Sequence, residues 1–192
     1  MKKLEAPNSL IGYADLDEKI CDDLVEFYKN DTMFHTVKGV TANEKNPSKD
    51  IKESFDKNIS ANCSDKTIYK YLTILHKFLN DYKKLFPTLS FVNVRISDSF
   101  NIQKYPKDAG YVAWHCERMN SDAKTSLRVL SFITYLNDVD VGGETEFALQ
   151  QRRIKAKKGR TIIFPSEWSH LHRGVPSPNQ EKYITAGWFE LV

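Results

Sequence analysis

The chain has 192 residues, with 28 Lys+Arg against 25 Asp+Glu and a formal net charge of +3, a length that suits one domain. Hydrophobic residues at 41% and aromatics at 12%, with only 8 Gly and 7 Pro, exclude an unfolded, collagen-like or low-complexity chain. The charge bias is too small for the field that nucleic-acid binding draws on, so nucleic acid is not an expected partner.

The opening Met1-Lys2-Lys3-Leu4-Glu5-Ala6-Pro7 is basic but lacks the apolar stretch of a signal peptide, and no apolar run reaches membrane-span length, so no membrane partner is expected. The three cysteines, Cys21, Cys63 and Cys116, lie far apart and without C-x-x-C spacing. Neither a disulfide framework nor a structural zinc site follows, and a reducing cytoplasm is the expected location. From Asp15 to Tyr28, Leu16, Ile20, Leu24 and Phe27 recur at helical spacing with acidic residues around the first turn, which predicts an amphipathic helix. Lys38 to Asp65 is polar and reads as a long loop or mobile hairpin of the kind that handles ligands. Ile68, Tyr71, Leu72, Leu75, Phe78, Leu79 and Tyr82 then predict a second helix over 66–86, stopped by Pro87.

Beyond Pro87 the period changes. Phe100 to Tyr105, Arg128 to Tyr135, Thr161 to Phe164 and Lys182 to Leu191 are β-branched or aromatic runs, separated by turn signals such as Gly142-Gly143 and Lys158-Gly159. Helices first and short strands afterwards predict a mainly β fold, a sandwich or jelly roll buttressed by helices on one side. Residues 1–95 would give helical support and a substrate loop, and 96–192 the core. The basic run Arg152 to Arg160 reads as a solvated hairpin.

Three of the five histidines fall in two clusters, His115-Cys116-Glu117 and His170-Leu171-His172. Residues two apart on extended backbone project to the same side, so His115 and Glu117 can point at one atom. A further histidine from a distant strand would complete two imidazoles and one carboxylate, leaving about three positions open, which suits iron(II) binding both a chelator and dioxygen. Zinc accepts the same ligands, and an ordinary exposed His and Glu on a strand stays open as a reading of the pattern alone.

The surrounding motifs resemble the 2-oxoglutarate- and iron(II)-dependent oxygenases, in particular the prolyl 4-hydroxylase branch with its small phage- and bacterium-like members. Tyr105 to Tyr111 leading to His115-Cys116-Glu117 resembles that family's Tyr, Gly, H-x-D segment. Arg128 to Asp138 is similar to its Arg-containing strand ending in Y-L-N-D, and Gly142 to Phe147 to its G-G-E-T-x-F turn. Lys158 to Pro165, His172 to Pro176 and Lys182 to Phe189 are similar to its K-G-x-x-x-x-F, H-x-G-x-P and K-x-x-x-x-x-W elements. Roughly the last half of the chain is covered.

The resemblance implies a double-stranded β-helix in which His115, Glu117 and His172, rather than His170, bind iron(II). It implies 2-oxoglutarate as cosubstrate, held by Lys182 with Tyr105, Ser131 and Thr185 helping to line its pocket, and ascorbate as a reductant. Arg128 and Trp188 would face a proline-containing polypeptide that is hydroxylated as succinate and carbon dioxide form. Glu117 departs from the family's Asp, and Cys116 between the ligands is expected to be a packing residue. Two alternatives stay open: an oxygenase of the same superfamily acting on a free amino acid, another protein side chain or a nucleobase, and a non-catalytic jelly-roll binding module.

Overall fold

A computed structural model describes the chain except for residues 4–8, 41–47, 49 and 119–122. In chain order the elements are β1 (Lys2–Lys3), β2 (Gly12–Asp15), α1 (Glu18–Asn30), β3 (Thr36–Lys38), β4 (Phe55–Ser60), α2 (Lys66–Leu85), a 3₁₀ turn (Pro87–Phe91), β5 (Val94–Ile96) and β6 (Ser99–Tyr105). There follow α3 (Ala123–Ser126), β7 (Arg128–Tyr135), β8 (Thr145–Phe147), β9 (Arg152–Ile154), β10 (Arg160–Pro165), a 3₁₀ turn (Trp168–His170), β11 (His172–Gly174) and β12 (Lys182–Leu191).

Asp17 caps α1 by accepting from the Lys19 amide at 2.9 Å. Asp65 caps α2 through the amides of Thr67 and Ile68 at 2.8 and 3.2 Å. Each cap satisfies amides that the first turn leaves without partners. α2 ends where Pro87 disfavours helical backbone in the residue before it.

The strands form an antiparallel jelly roll. The large sheet runs β1-β2-β10-β7-β12-β6-β4-β3 with β5 on β12, and a small sheet runs β11-β8-β9. α1 and α2 cover the outer face of the large sheet. There Ile20, Leu24, Tyr71, Leu75 and Phe78 pack on Phe100, Leu130, Phe132, Ile163 and Phe189. Between the sheets lies a second core of Tyr105, Ile133, Tyr135, Phe147, Phe164 and Ile184. Period-2 alternation divides each strand: Tyr183 and Phe189 face the helices, while Ile184 faces the barrel interior.

The polar stretch from Lys38 to Asp65 is not a loop throughout. It contains β4, which pairs with β6 from Phe55↔Lys104 to Ser60↔Ser99 and with β3 on its other edge. Its charges hid it. Asp56 meets Lys52 Nζ at 2.7 Å and Lys57 Nζ meets Asp31 at 3.5 Å, and such pairing lets charged side chains lie buried in a strand. The middle of the expected loop, residues 41–47 and 49, lies outside the described residues.

Candidate metal centre

His115 and His172 lie far apart in the chain and are tied together by their backbones in an antiparallel bridge. The His115 amide donates to the His172 carbonyl at 2.9 Å, and the His172 amide to the His115 carbonyl at 2.8 Å. The Nδ1 atoms lie 2.9 Å from the carbonyls of Ala113 and His170 respectively. A carbonyl can only accept, so each Nδ1 carries the proton and each Nε2 lone pair is free to bind a cation. The two Nε2 atoms lie 3.5 and 3.7 Å from Glu117 Oε1, and the three ligand atoms lie within 4.8 Å of one another. Two imidazole nitrogens and a carboxylate oxygen gathered this closely are a donor set that suits one divalent metal ion.

The electrostatics favour a cation. Burial raises the Glu117 carboxyl, but the surrounding imidazoles and the Arg128 guanidinium outweigh it and hold the group below the usual carboxylate range. Burial, with His115 adding to it, pushes His172 down to about 3, so its imidazole is neutral. Tyr111 stacks on His115 at 3.5 Å between centroids, and Phe147 and Phe164 flank the His172 ring. His170 points away from the cluster: its Nδ1 meets Ser169 Oγ at 3.0 Å, and burial pushes it down to about 4.

The cluster opens into a cavity of ≈ 460 Å³ that Lys182 also lines. Gly142 and Gly143, at φ 73° and 77°, shape the turn beside it, and a side chain on Gly142 would stand 2.1 Å from the Pro176 carbonyl oxygen. Lys182 Nζ donates to the Gly143 carbonyl at 3.1 Å and lies 4.9 Å from the Tyr105 ring centre. Among the described residues Lys182 has no ion pair. Burial pushes its ammonium down to about 8, the more distant Glu144 opposing. A buried cation without a counter-ion in a cavity is a place for an anion. Tyr105 reaches the same cavity and donates to Gln103 at 2.9 Å.

Ser131 also lines the cavity, sharing a hydrogen bond of 2.7 Å with Ser166. Thr185 does not. Three residues on from Lys182, it faces the helices, where its hydroxyl and Thr134's both bond to Tyr71 Oη. Arg128 reaches the interior through a bulge: Phe189 pairs with Leu130 but Glu190 with Arg128, leaving Val129 as the extra residue. Its guanidinium stacks 3.5 Å over Trp188, whose indole N–H donates to Glu117 Oε2 at 2.9 Å. The sequence reading gave no role to Tyr111, Tyr135 or the buried Lys52–Asp56–Gln103 chain, all of which line the cavity. Tyr135 could have been found, since it shares the face of Ser131 two pairs along β7.

A jelly roll that brings two imidazoles, a carboxylate and a buried ammonium to one cavity has the makings of a metal site with an anion site beside it. Residues 100–190 match the 2OG-Fe(II) oxygenase superfamily, whose metal and cosubstrate are iron(II) and 2-oxoglutarate. The Arabidopsis thaliana protein named "Probable prolyl 4-hydroxylase 9" is 28% identical over 116 residues, covering 47% of this chain and 40% of that protein. The chain thus spans well under half the length of that curated relative. In fold it is similar to a Pseudomonas putida prolyl-4-hydroxylase, with TM-score 0.69, 18% identity and coverage of 96% of this chain and 94% of that one. A viral collagen prolyl hydroxylase from Paramecium Bursaria Chlorella virus-1, as a 2-oxoglutarate complex, gives 0.71 at 20% identity over 98% and 100%. A Trichoplax adhaerens prolyl hydroxylase in complex with a hypoxia inducible factor peptide gives 0.74 at 17% over 95% and 84%. Over residues 100–190 the chain is thus similar to 2-oxoglutarate- and iron(II)-dependent oxygenases, and it shares the fold of these prolyl hydroxylases. Among the described residues no helix is long and apolar enough to cross a membrane.

Proposed function

We propose that this protein hydroxylates prolyl residues of a polypeptide, with residues 1–192 acting as one catalytic domain. The observation that carries the reading is the sharing of one cavity by the His115, Glu117 and His172 cluster and the buried ammonium of Lys182, which has no ion pair among the described residues. Those three ligands would hold iron(II), and Lys182 would hold the far carboxylate of 2-oxoglutarate. With metal, cosubstrate and dioxygen bound, the site supplies an oxidation in which 2-oxoglutarate gives succinate and carbon dioxide and one oxygen atom enters a substrate C–H bond. No side chain need act as a general base. The chain's part is to bind and orient: Lys182 and Tyr105 fix the cosubstrate, Ser131 bounds the pocket, and the aromatic wall of Tyr111, Phe147 and Phe164 keeps water from the ligands.

The prolyl target is supported by the relatives and by the cavity rim. Trp188 and Arg128 stand beside Glu117 and line the cavity, with the guanidinium stacked on the indole, and an indole at a cavity wall suits a pyrrolidine ring. Proline's preset backbone lowers the ordering cost of docking an extended chain against aromatic rings. The test is to incubate iron-loaded protein with 2-oxoglutarate and a panel of proline-containing peptides. A gain of one oxygen on proline, matched by succinate, is the expected result. Oxygen only on lysine, a nucleobase or a free amino acid would remove the prolyl reading, and absence of succinate would remove the oxygenase.

A further inference from the structure

The carboxylate of Glu117 has one methylene more than the aspartate of an H-x-D pair, and so an extra rotatable bond. Left free, it could turn to offer a metal either oxygen or both. Two oxygens on the metal would occupy a position that a chelating cosubstrate and dioxygen need between them. The structure holds this carboxylate from behind. Oε2 accepts the Trp188 indole N–H at 2.9 Å and lies 3.5 Å from Arg128 Nη1, while Oε1 faces both imidazoles. Arg128 also donates to the Glu117 backbone carbonyl at 3.1 Å, and its stacking on Trp188 fixes both donors.

We infer that Trp188, backed by Arg128, is a positioning residue that clamps Oε2 of Glu117, so that the metal receives Oε1 alone. The inference rests on the metal site proposed above. An indole N–H can only donate, and its ring has two torsions, so the clamp is directional and stiff. Arg128 reaches the carboxylate only because the extra residue at Val129 turns it inward. The long ligand and the clamp form one device: Glu117 supplies reach, and Trp188 removes the freedom that reach brings.

Cobalt(II) added to the chelator-stripped full chain reads this out without turnover, through its affinity and its visible ligand-field bands. Trp188→Phe keeps the ring and loses the donor. It should weaken cobalt binding about tenfold or more, as loss of a group orienting a ligand typically does, and alter the bands. In Glu117→Asp the carboxylate is drawn away from the indole, so adding Trp188→Phe there should change affinity less than about twofold. Should Trp188→Phe fail to fold, Arg128→Met carries the test, with a smaller loss of affinity and altered bands expected. Wild-type affinity and bands in the folded variant, or an equal loss in the Glu117→Asp background, would overturn the clamp. His172→Ala is the separate control: retained cobalt binding there would overturn the metal site itself.

Discussion

The two faces of strands β7 and β12 differ in chemistry although they share one backbone. Toward the helices stand Leu130, Phe132, Tyr183 and Phe189, with Thr134 and Thr185 bonded to Tyr71. Toward the cavity stand Ser131, Lys182 and Trp188. The first face is apolar or satisfied within itself. The second carries a buried cation that has no ion pair among the described residues, and donors aimed at a carboxylate. Alternation lets a single sheet keep stability on one side and store unfavourable, ligand-directed groups on the other.

The sharpest break in that comparison is Phe132→Ala. Phe132 is fully buried against Phe189, with ring centroids 5.4 Å apart, and Phe→Ala in a packed core costs about 3–5 kcal/mol. Chemical denaturation should show that loss while cobalt affinity of the folded protein stays at wild type. A loss of metal affinity of similar size would mean that the two faces are not separable.

Lys182 tests the other face. Its folded pKa of about 8 lies below the ordinary 10.5, so below pH 8 the full cost of burying the ammonium, roughly 3 kcal/mol, is present. As pH rises from about 8 toward 10.5, the folded chain gives up its proton before the unfolded one, and stability should increase. Lys182→Met should flatten that rise and be the more stable protein at pH 7. Its affinity for 2-oxoglutarate should fall at least tenfold, while metal binding survives, because a charge-assisted pair is lost. In the wild type the same affinity should be steady below pH 8 and weaken above it, as calorimetry against pH would register. Unchanged affinity in Lys182→Met would place the anion elsewhere.

How much of this was legible in the sequence follows the same division. Both helices were readable because Ile20, Leu24, Ile68, Tyr71 and Leu75 declare one apolar face, and the motifs around His115 and His172 identified the two segments that the barrel brings together. β4 was not, since its buried charges Asp56 and Lys57 rest on partners outside the strand, Lys52 and Asp31, that no two-residue alternation announces. β8, β9 and β11 have three residues each, too few to show a period. The inward turn of Arg128 depends on a bulge that exists only once β7 and β12 are paired. Thr185 was within reach: an odd offset from Lys182 on one strand already puts it on the opposite face.

That position gives the smallest predicted effect and the finest test of the division. Thr185→Val keeps shape and volume but removes a hydroxyl that bonds to Tyr71 Oη. Tyr71 retains Thr134 at 2.8 Å, which is itself bonded to Thr161 at 2.8 Å, so its hydroxyl is not left unsatisfied. The cost should therefore be that of a single net hydrogen bond, about 1 kcal/mol in the unfolding free energy. Affinity for 2-oxoglutarate should not move, because neither the lost hydroxyl nor its partners line the cavity. A variant with wild-type stability and tenfold weaker 2-oxoglutarate binding would reverse the assignment of faces on β12 and return Thr185 to the pocket that the family resemblance implies for it.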